Sequence, residues 1–541
     1  MSAKAFDIVL FGATGFTGRL VAKHIHAQNV DIKWAIAGRA QSKLSALMTE
    51  LVNMQSPRNL PDILIADASD GKSLSDICGE AKIVLNCTGP FRFLGKEVVE
   101  ACLKAKCTYM DICGEPQFME KCFLDYHDKA VESDVLILHA CAFDSVPADM
   151  GALYTMRQYE PTKCLSVESF LSIDSPKGLK GHFTTYESAV HGLGDLQVLK
   201  GIRERVKLKY NPPKINYVGK RIPKISTYKF ESRVNKYVIP FMGSDASVVR
   251  SSQRALSIRT GQLTWPHYSA CITINDFYTV AATSFYGSMF YTLSGNSWGR
   301  SLLLSYPELF SADVFSKTGP SKEQLESTSF KMHFFASGYS TDENENENNM
   351  DMEDFRNDEE SEKIQKAKRT AALLPSEVAI TSSSSKACSF GRIFKSKKEQ
   401  PQDTESLRPD KAVHVIVSGP EPGYVATPAI FFALALCVLE ERETMPKGGV
   451  LTPSAAFYDS PTVFNRLQNA GLLFQVQSTS NIEDKPHTRD IEEEEEGKQD
   501  IDVTAESVLV GEERILKNGL LEDSQENGVL IGTNTKNEKN E

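Results

Sequence analysis

The sequence predicts an α/β chain whose first 150 residues form a doubly wound parallel sheet, followed by a second, α+β domain; three observations converge on this. Between Phe6 and Pro147 short β-branched runs, DIVLF, IKWAIA, DILIA, KIVLN and DVLILHA, alternate with amphipathic stretches such as TGRLVAKHIHA and GKEVVEACLKA. Each run is almost continuously apolar, as strands covered on both faces are. Strand and helix in this rhythm call for right-handed crossovers and a parallel sheet.

The rest of the chain changes character in order. Residues 151–340 mix strand-like alternation, as in CLSVESFLSI, with a Lys/Arg-rich stretch from Lys200 to Lys236, which reads as a mixed α+β domain. Residues 341–410, with TDENENENNMDMEDFRNDEESE, SSSSK and FKSKKEQPQ, are too polar to offset the entropy of ordering and read as a disordered insertion. Order is expected to resume over 411–478. There VHVIVSG reads as a strand, and Thr427 before Pro428 reads as the N-cap of the helix AIFFALALCVLEE, too short to span a bilayer. Residues 479–541, including Glu492 to Glu496, read as a disordered acidic tail.

Composition narrows the function classes. The 541 residues carry a formal charge of -11, but residues 480–541 alone hold 18 acidic against 7 basic side chains, so the part expected to fold is mildly basic. Its basic residues are dispersed, which argues against nucleic-acid binding. Eleven cysteines at irregular spacing, such as Cys87 in IVLNCTG and Cys437 in ALALCVL, fit buried thiols in a reducing compartment. Neither a CxxC pair nor a zinc-spaced Cys/His set is present, so no structural metal is expected. The N-terminus MSAKAFDIVLFGATG lacks the charged leader and long apolar core of a secretory signal.

Gly12, Gly15 and Gly18 form G-x-x-G-x-x-G directly after DIVLF and at the start of an amphipathic helix. A Rossmann-type turn needs glycine for its tight bend, for approach of a pyrophosphate to backbone N–H groups, and for close packing of helix on strand. The helix N-terminus adds positive potential, and Thr14 and Thr17 add hydroxyl donors. Gly12, Thr14, Gly15, Phe16, Thr17 and Gly18 are therefore the candidate dinucleotide cradle; a purely structural tight turn is the competing reading. The ribose-binding carboxylate expected at the end of the next strand is replaced by Gly38 and Arg39. A guanidinium pairs with a 2′-phosphate that a carboxylate would repel, so NADP is favoured over NAD. Asp67, after DILIA, is placed to meet the adenine edge or to cap a helix. Thr88, Gly89 and Pro90 close the fourth strand at the carboxyl edge, where they are expected to border the nicotinamide ribose.

FGATGFTGRLV, IAGR, NCTGPFRFLGKEVVEAC, YMDICGEPQF and CAFDSVPADMG together resemble the saccharopine dehydrogenase-like oxidoreductase family, which includes animal lipid-associated members and is related to mycobacterial trans-acting enoyl reductases. The likeness continues in GHFTTYESA, KTGPSKEQLESTSFKMHFFASGYS, VSGPEPGYVATP and GGVLTPSAAF, covering residues 5–340 and 411–476. The resemblance implies an NADP-type Rossmann domain, a second domain covering the cofactor, and a C-terminal segment that returns to complete the fold. It does not imply saccharopine as substrate, because that tricarboxylate needs several convergent cations and no Arg-rich substrate motif is present.

Hydride transfer belongs to the nicotinamide, so the protein must orient substrate and handle a proton. No Tyr-x-x-x-Lys dyad exists, since Val190 stands four positions after Tyr186. Asp111 in YMDICGE, Asp144 in AFDSVP and Tyr186 in TYESA are the candidate catalytic residues; helix capping or ion pairing is the competing reading for the carboxylates. Tyr109, Glu115 and His182 complete the polar set, while Cys113 without an identifiable base reads as packing.

Between Asp276 and Arg300 there is no charge, and Tyr278, Ala282, Phe285, Tyr286, Met289 and Leu293 fall at helical spacing. Buried core, the wall of an acyl pocket and a surface that dips into lipid are three readings of this stretch. Together these features point to an NADP(H)-dependent oxidoreductase acting on a hydrophobic or lipid-like carbonyl or enoyl compound, with peripheral lipid contact. The rival is a lipid-surface scaffold whose nucleotide site is purely structural.

Overall fold

The computed structural model describes residues 4–28, 30–54, 60–212, 214–217, 219, 221–340 and 409–481. The expected insertion and acidic tail therefore lie, apart from positions 409–410 and 479–481, outside the described residues. Six strands open the chain: β1 (Phe6–Phe11), β2 (Trp34–Gly38), β3 (Asp62–Ile65), β4 (Ala81–Asn86), β5 (Thr108–Asp111) and β6 (Leu136–Leu138). They alternate with α1 (Phe16–Ala27), α2 (Gln41–Asn53), α3 (Gly71–Glu80), α4 (Phe91–Ala105) and α5 (Pro116–Glu132), and α6 (Val146–Met156) follows β6. The sheet is parallel throughout in the order β3-β2-β1-β4-β5-β6, and Gly449–Leu451, more than 300 positions further on, adds a seventh parallel strand beside β6.

Period-two alternation explains why these strands are buried on both faces. Ile8 and Leu10 of β1 enter one apolar core, while Val9 and Phe11 enter the other. Local chemistry sets the helix starts: Asp70 accepts from the amide of Lys72 to cap α3, and Pro116 opens α5, where its missing N–H has no partner to lose.

A second, mixed sheet of seven strands has β7 (Cys164–Asp174) at its centre. β7 runs parallel to His267–Ile274 and antiparallel to Ser329–Gly338, which pairs in turn with Lys411–Pro420. Leu473–Asn481 forms one edge, so this strand continues past position 478, where the tail was expected to begin. One face of this sheet, with Val167, Phe334, Val415 and Val417, shares its core with α6 and with the helix Thr427–Glu440. Residues 411–481 thus contribute strands to both sheets.

Two details correct the sequence reading. The apolar C-terminal helix is not capped by Thr427: a wide turn, Pro422–Ala426, precedes it, and the carboxylate of Glu421 accepts the amides of Gly423, Tyr424 and Val425. Thr427 is already helical and its hydroxyl donates to the Pro422 carbonyl. The continuous stretch Pro422–Glu440, 19 residues with mean hydropathy 1.9, is long and apolar enough to cross a membrane, but 78% of it is buried inside the protein. It is a core helix. The uncharged stretch after Asp276 does form a helix, Phe277–Ser294, but only Val280 and Ser294 in it are buried, which overturns the buried-core reading.

Close packing of α6 on the second sheet depends on Gly151, where a Cβ would stand 2.4 Å from Phe334 Cζ and 3.0 Å from Val417 Cγ2. Alanine there gains helix propensity of about 1 kcal/mol but overpacks the core by about 1–3 kcal/mol. Urea unfolding should show Gly151→Ala destabilised, whereas Gly201→Ala, in the helix Leu196–Tyr210 with nothing within 4 Å, should be neutral or stabilised. The opposite order would contradict this helix–sheet contact.

Candidate functional site

The carboxyl ends of β1 and β4 lie side by side where the strand order reverses, and loops meet there. Gly12 has φ +80, and a Cβ on it would lie 2.5 Å from Thr88 Oγ1. A Cβ on Gly18 would lie 2.2 Å from the Gly12 carbonyl oxygen, so α1 reaches this strand end only with glycine. Gly15 is the N-cap of α1, and no side chain accepts from the first turn. Thr14 lies over Gly38, whose absent Cβ would fall 3.7 Å from Thr14 Oγ1. Thr17 is half-buried in the first turn of α1. A diphosphate fits this cradle: bare peptide, no competing cap and a helix N-terminus.

Arg39 stands exposed after β2 without an ion-pair partner among the described residues. Asp67 lies near it: the Ser69 amide and hydroxyl hold the Asp67 carboxyl below its ordinary range, and the charge of Arg39 adds to this. Asp67 caps only its own turn; Asp70 caps α3. Thr88 donates its amide to Asn86 Oδ1, and its hydroxyl is buried without a partner among the described residues. Gly89 and Pro90 lead into α4, with Gly89 facing Thr184 of α7 (Phe183–Gly194). Phe16 stacks on His182 at 4.6 Å and meets Tyr424 edge-on at 4.9 Å, which ties the glycine turn to the second half of the chain. His182 is itself a cap, accepting from the Thr184 amide.

Asp111 is fully buried at the end of β5 and holds four donors. Tyr109 Oη and His139 Nδ1 reach Oδ2 at 2.9 and 2.7 Å, while the amides of Cys113 and Ala140 reach Oδ1 at 3.1 and 3.0 Å. Asn86 donates to Tyr109 Oη, so one network joins the ends of β4, β5 and β6. Burial pushes the Cys113 thiol well up, as packing demands.

Glu115 forms a second brace. Its carboxylate accepts from the Phe91 amide (2.9 Å), from Arg92 Nε (2.7 Å) and from Ser188 Oγ of α7 (3.1 Å), and Arg92 Nη1 reaches Asp195 at 2.8 Å. The charge caps α4 and ties it to α7.

Asp144 differs from both. Asp144 is exposed, yet neighbouring protein surrounds its carboxyl. That surrounding protein pushes its carboxyl up to about 6, with the charge of Glu115 adding. Gly114 makes room for it, since a Cβ there would lie 2.7 Å from Oδ2. Behind it Ser145 and Ser244 share a 2.9 Å hydrogen bond, and Asp245, almost fully buried, has no partner for Oδ1 among the described residues. Tyr186 lies apart: it is 2% exposed, its ring meets Phe290 and Phe315, its hydroxyl has no partner among the described residues, and burial pushes it up to about 12. Sequence reasoning missed Arg92, Ser188, Asp245, Glu421 and Tyr424, although all but Asp245 lay in motifs singled out: Arg92 in NCTGPFRFLGKEVVEAC, Ser188 in GHFTTYESA, and Glu421 and Tyr424 in VSGPEPGYVATP. Among the described residues no group of three or more His, Cys, Asp or Glu could hold a metal ion.

Comparisons with known proteins give the following similarities. Residues 8–138 fit the family model of the saccharopine dehydrogenase NADP binding domain. A rat saccharopine dehydrogenase-like oxidoreductase (Rattus norvegicus) is 34% identical over 492 residues, covering 88% of this chain and 99% of its own. A lipid droplet localized protein of Caenorhabditis elegans is 26% identical over 490 residues with the same coverage. Among solved structures, apo saccharopine dehydrogenase (L-Glu forming) of Saccharomyces cerevisiae covers 87% of this chain and 100% of its own, with a TM-score of 0.46 and 10% identity.

Asp149 offers a test of the buried polar layer. It is 2% exposed, and burial pushes its carboxyl up to about 6 against the lowering hydrogen bonds of Ser454 and Ser252. The unfolded value is about 3.9, so between these values the folded chain binds more proton and stability falls as pH rises. Relative to wild type, Asp149→Asn should gain on the order of 2 kcal/mol between about pH 4 and about pH 7. Urea unfolding at both pH values checks this, and a gap that does not change with pH would refute it.

Proposed function

Because the chain belongs to the saccharopine dehydrogenase-like oxidoreductase family, we propose that it is an NADP(H)-dependent oxidoreductase acting on a hydrophobic or lipid-like carbonyl or enoyl substrate. The observation that carries the cofactor assignment is the cradle, where neither Gly12 nor Gly18 has room for a Cβ and α1 presents an uncapped N-terminus. Arg39, without an ion pair among the described residues, is available to take a 2′-phosphate, and Asp67 near it to meet the adenine edge. Gly38, at the end of β2, lies beside Thr14. Thr88, Gly89 and Pro90 border the ribose of the nicotinamide, and the unpartnered Thr88 hydroxyl supplies a hydrogen bond there. Phe16 and Thr17 complete the cradle. The nicotinamide, when bound, supplies the hydride.

Within the candidate catalytic set we assign different tasks. Asp144 handles the proton: it is solvent-accessible, it carries no hydrogen bond on its carboxyl among the described residues, and its affinity for a proton lies near neutrality. Asp111 positions the strand ends, since both oxygens are already occupied. Tyr186 backs the substrate side with its ring. The carboxylates of Asp144, Glu115 and Glu187 disfavour a polyanionic substrate, and burial raises the Glu187 carboxyl as well. The name of the worm relative, a lipid droplet localized protein, supports a lipid-surface location.

Titration calorimetry tests the cofactor assignment. NADPH should bind more tightly than NADH, Gly18→Val should abolish binding, and Arg39→Ala should weaken NADPH by about tenfold to a hundredfold, the value of a charge-assisted hydrogen bond or two. Binding of neither nucleotide, or a preference indifferent to Arg39, would overturn it. For the proton step, Asp144→Asn should keep NADPH affinity but lower NADPH consumption against a lipid-extract panel by roughly a hundredfold or more; unchanged turnover removes Asp144 from the chemistry.

A further inference from the structure

Phe16 takes part in two structures at once. Its amide and that of Thr17 open α1, where no earlier carbonyl of the helix and no capping side chain takes them, so both belong to the bare peptide offered to a diphosphate. Its ring belongs to a cage built by the second half of the chain. The ring stacks on His182 at 4.6 Å and meets Tyr424 edge-on at 4.9 Å. On a third side lies Gly319, where a Cβ would stand 2.7 Å from Phe16 Cζ and 2.9 Å from Cε2. Three segments distant in sequence close on one side chain.

The cage is braced without the ring. Gly319 has φ +71, a conformation that favours glycine, and its amide donates to Ser316 Oγ at 3.2 Å. Ser316 and His182 face each other in the short parallel pairing of Phe315–Ser316 with Gly181–His182. Tyr424 Oη accepts the His182 amide at 2.7 Å, and the Tyr424 amide donates to the Glu421 carboxylate at 2.6 Å. His182 Nδ1 in turn accepts from the Thr184 amide at 3.3 Å, at the start of α7. A braced cage around a side chain of the glycine turn fixes where that turn can stand.

We propose that this cage positions the dinucleotide-binding amides through the Phe16 ring, which makes Gly319, His182 and Tyr424 positioning residues for a coenzyme held on the first sheet. The proposal rests on the nucleotide reading of the cradle and goes beyond it, because binding at the glycine turn then depends on a turn some 300 positions further on. Coupling of this kind is reciprocal. A diphosphate on the amides of Phe16 and Thr17 holds the ring, and the held ring stabilises the 316–319 turn and the entry to α7. That helix carries Thr184 and Ser188, which approach Gly89 and Glu115, so an occupied cradle also stiffens the contacts around Glu115.

Two measurements on the full chain test it. The first is a double-mutant cycle on NADPH affinity by calorimetry. Gly319→Ala should weaken NADPH by about tenfold where Phe16 is present, and by less than about threefold in a Phe16→Ala background. Backbone strain at residue 319 is common to both backgrounds and cancels, which leaves the ring contact. Phe16→Leu, an apolar filler, should recover most of the affinity that Phe16→Ala loses. The second is amide hydrogen exchange with and without saturating NADPH. In the wild type NADPH should slow exchange over residues 12–18 and also over 315–319 and 181–184, whereas Phe16→Ala should keep the first effect and lose the other two. A ring that merely fills space would give no such remote protection. The wild-type exchange comparison needs no variant, so it decides even where Gly319→Ala fails to fold. Absence of NADPH binding, with no protection over 12–18, would overturn the nucleotide reading and the proposal together. Binding with protection confined to 12–18, or additive effects of the two alanine substitutions, would overturn the proposal alone.

Discussion

A buried carboxylate holds the working edge of this protein together. Parallel strands end in loops with no ladder to fix them, yet a ligand edge must be rigid to a fraction of an ångström. Asp111 answers this with four donors drawn from β5, the loop after it and the residues following β6. Without them a fully buried carboxyl group would leave its oxygens unpaired at a cost; with them it becomes a fixed point. From that point Asn86 sets Thr88, and Thr88 sets the space into which Gly12 must turn. Glu115 repeats the device one layer outward, using Arg92 and Ser188 to seat α7.

The three carboxylates of the YMDICGE and AFDSVP segments show how much environment decides. Asp111 and Glu115 are buried and saturated with donors; Asp144 is wetted, unsaturated and shifted toward neutrality. Sequence spacing places all three near the carboxyl edge and cannot distinguish them, because the donors come from His139, Arg92 and Ser188, distant in the chain. The same limit applies to Tyr186, whose surroundings are set by Phe290 and Phe315, more than 100 positions away.

What was legible was local. The glycine triplet, the strand rhythm, Arg39 at the end of β2 and the polar character of the flanking segments are properties of short windows, and the first sheet follows from them. The cap of the C-terminal helix was misread because Glu421 acts through a wide turn five residues long, where capping rules assume ordinary helical geometry. The aromatic stretch after Asp276 shows helical spacing in sequence, but which side faces water depends on packing against α7, which periodicity does not report.

Gly449–Leu451 carries a consequence for biogenesis. The sheet that bears the nucleotide loop draws its last strand from near the opposite end of the described chain. A ribosome releasing the first 150 residues therefore delivers an open edge at β6, with backbone groups still seeking a neighbour. Completion waits on the final stretch of translation, so a nascent chain stalled before residue 449 exposes a sticky margin to chaperones or to other polypeptides.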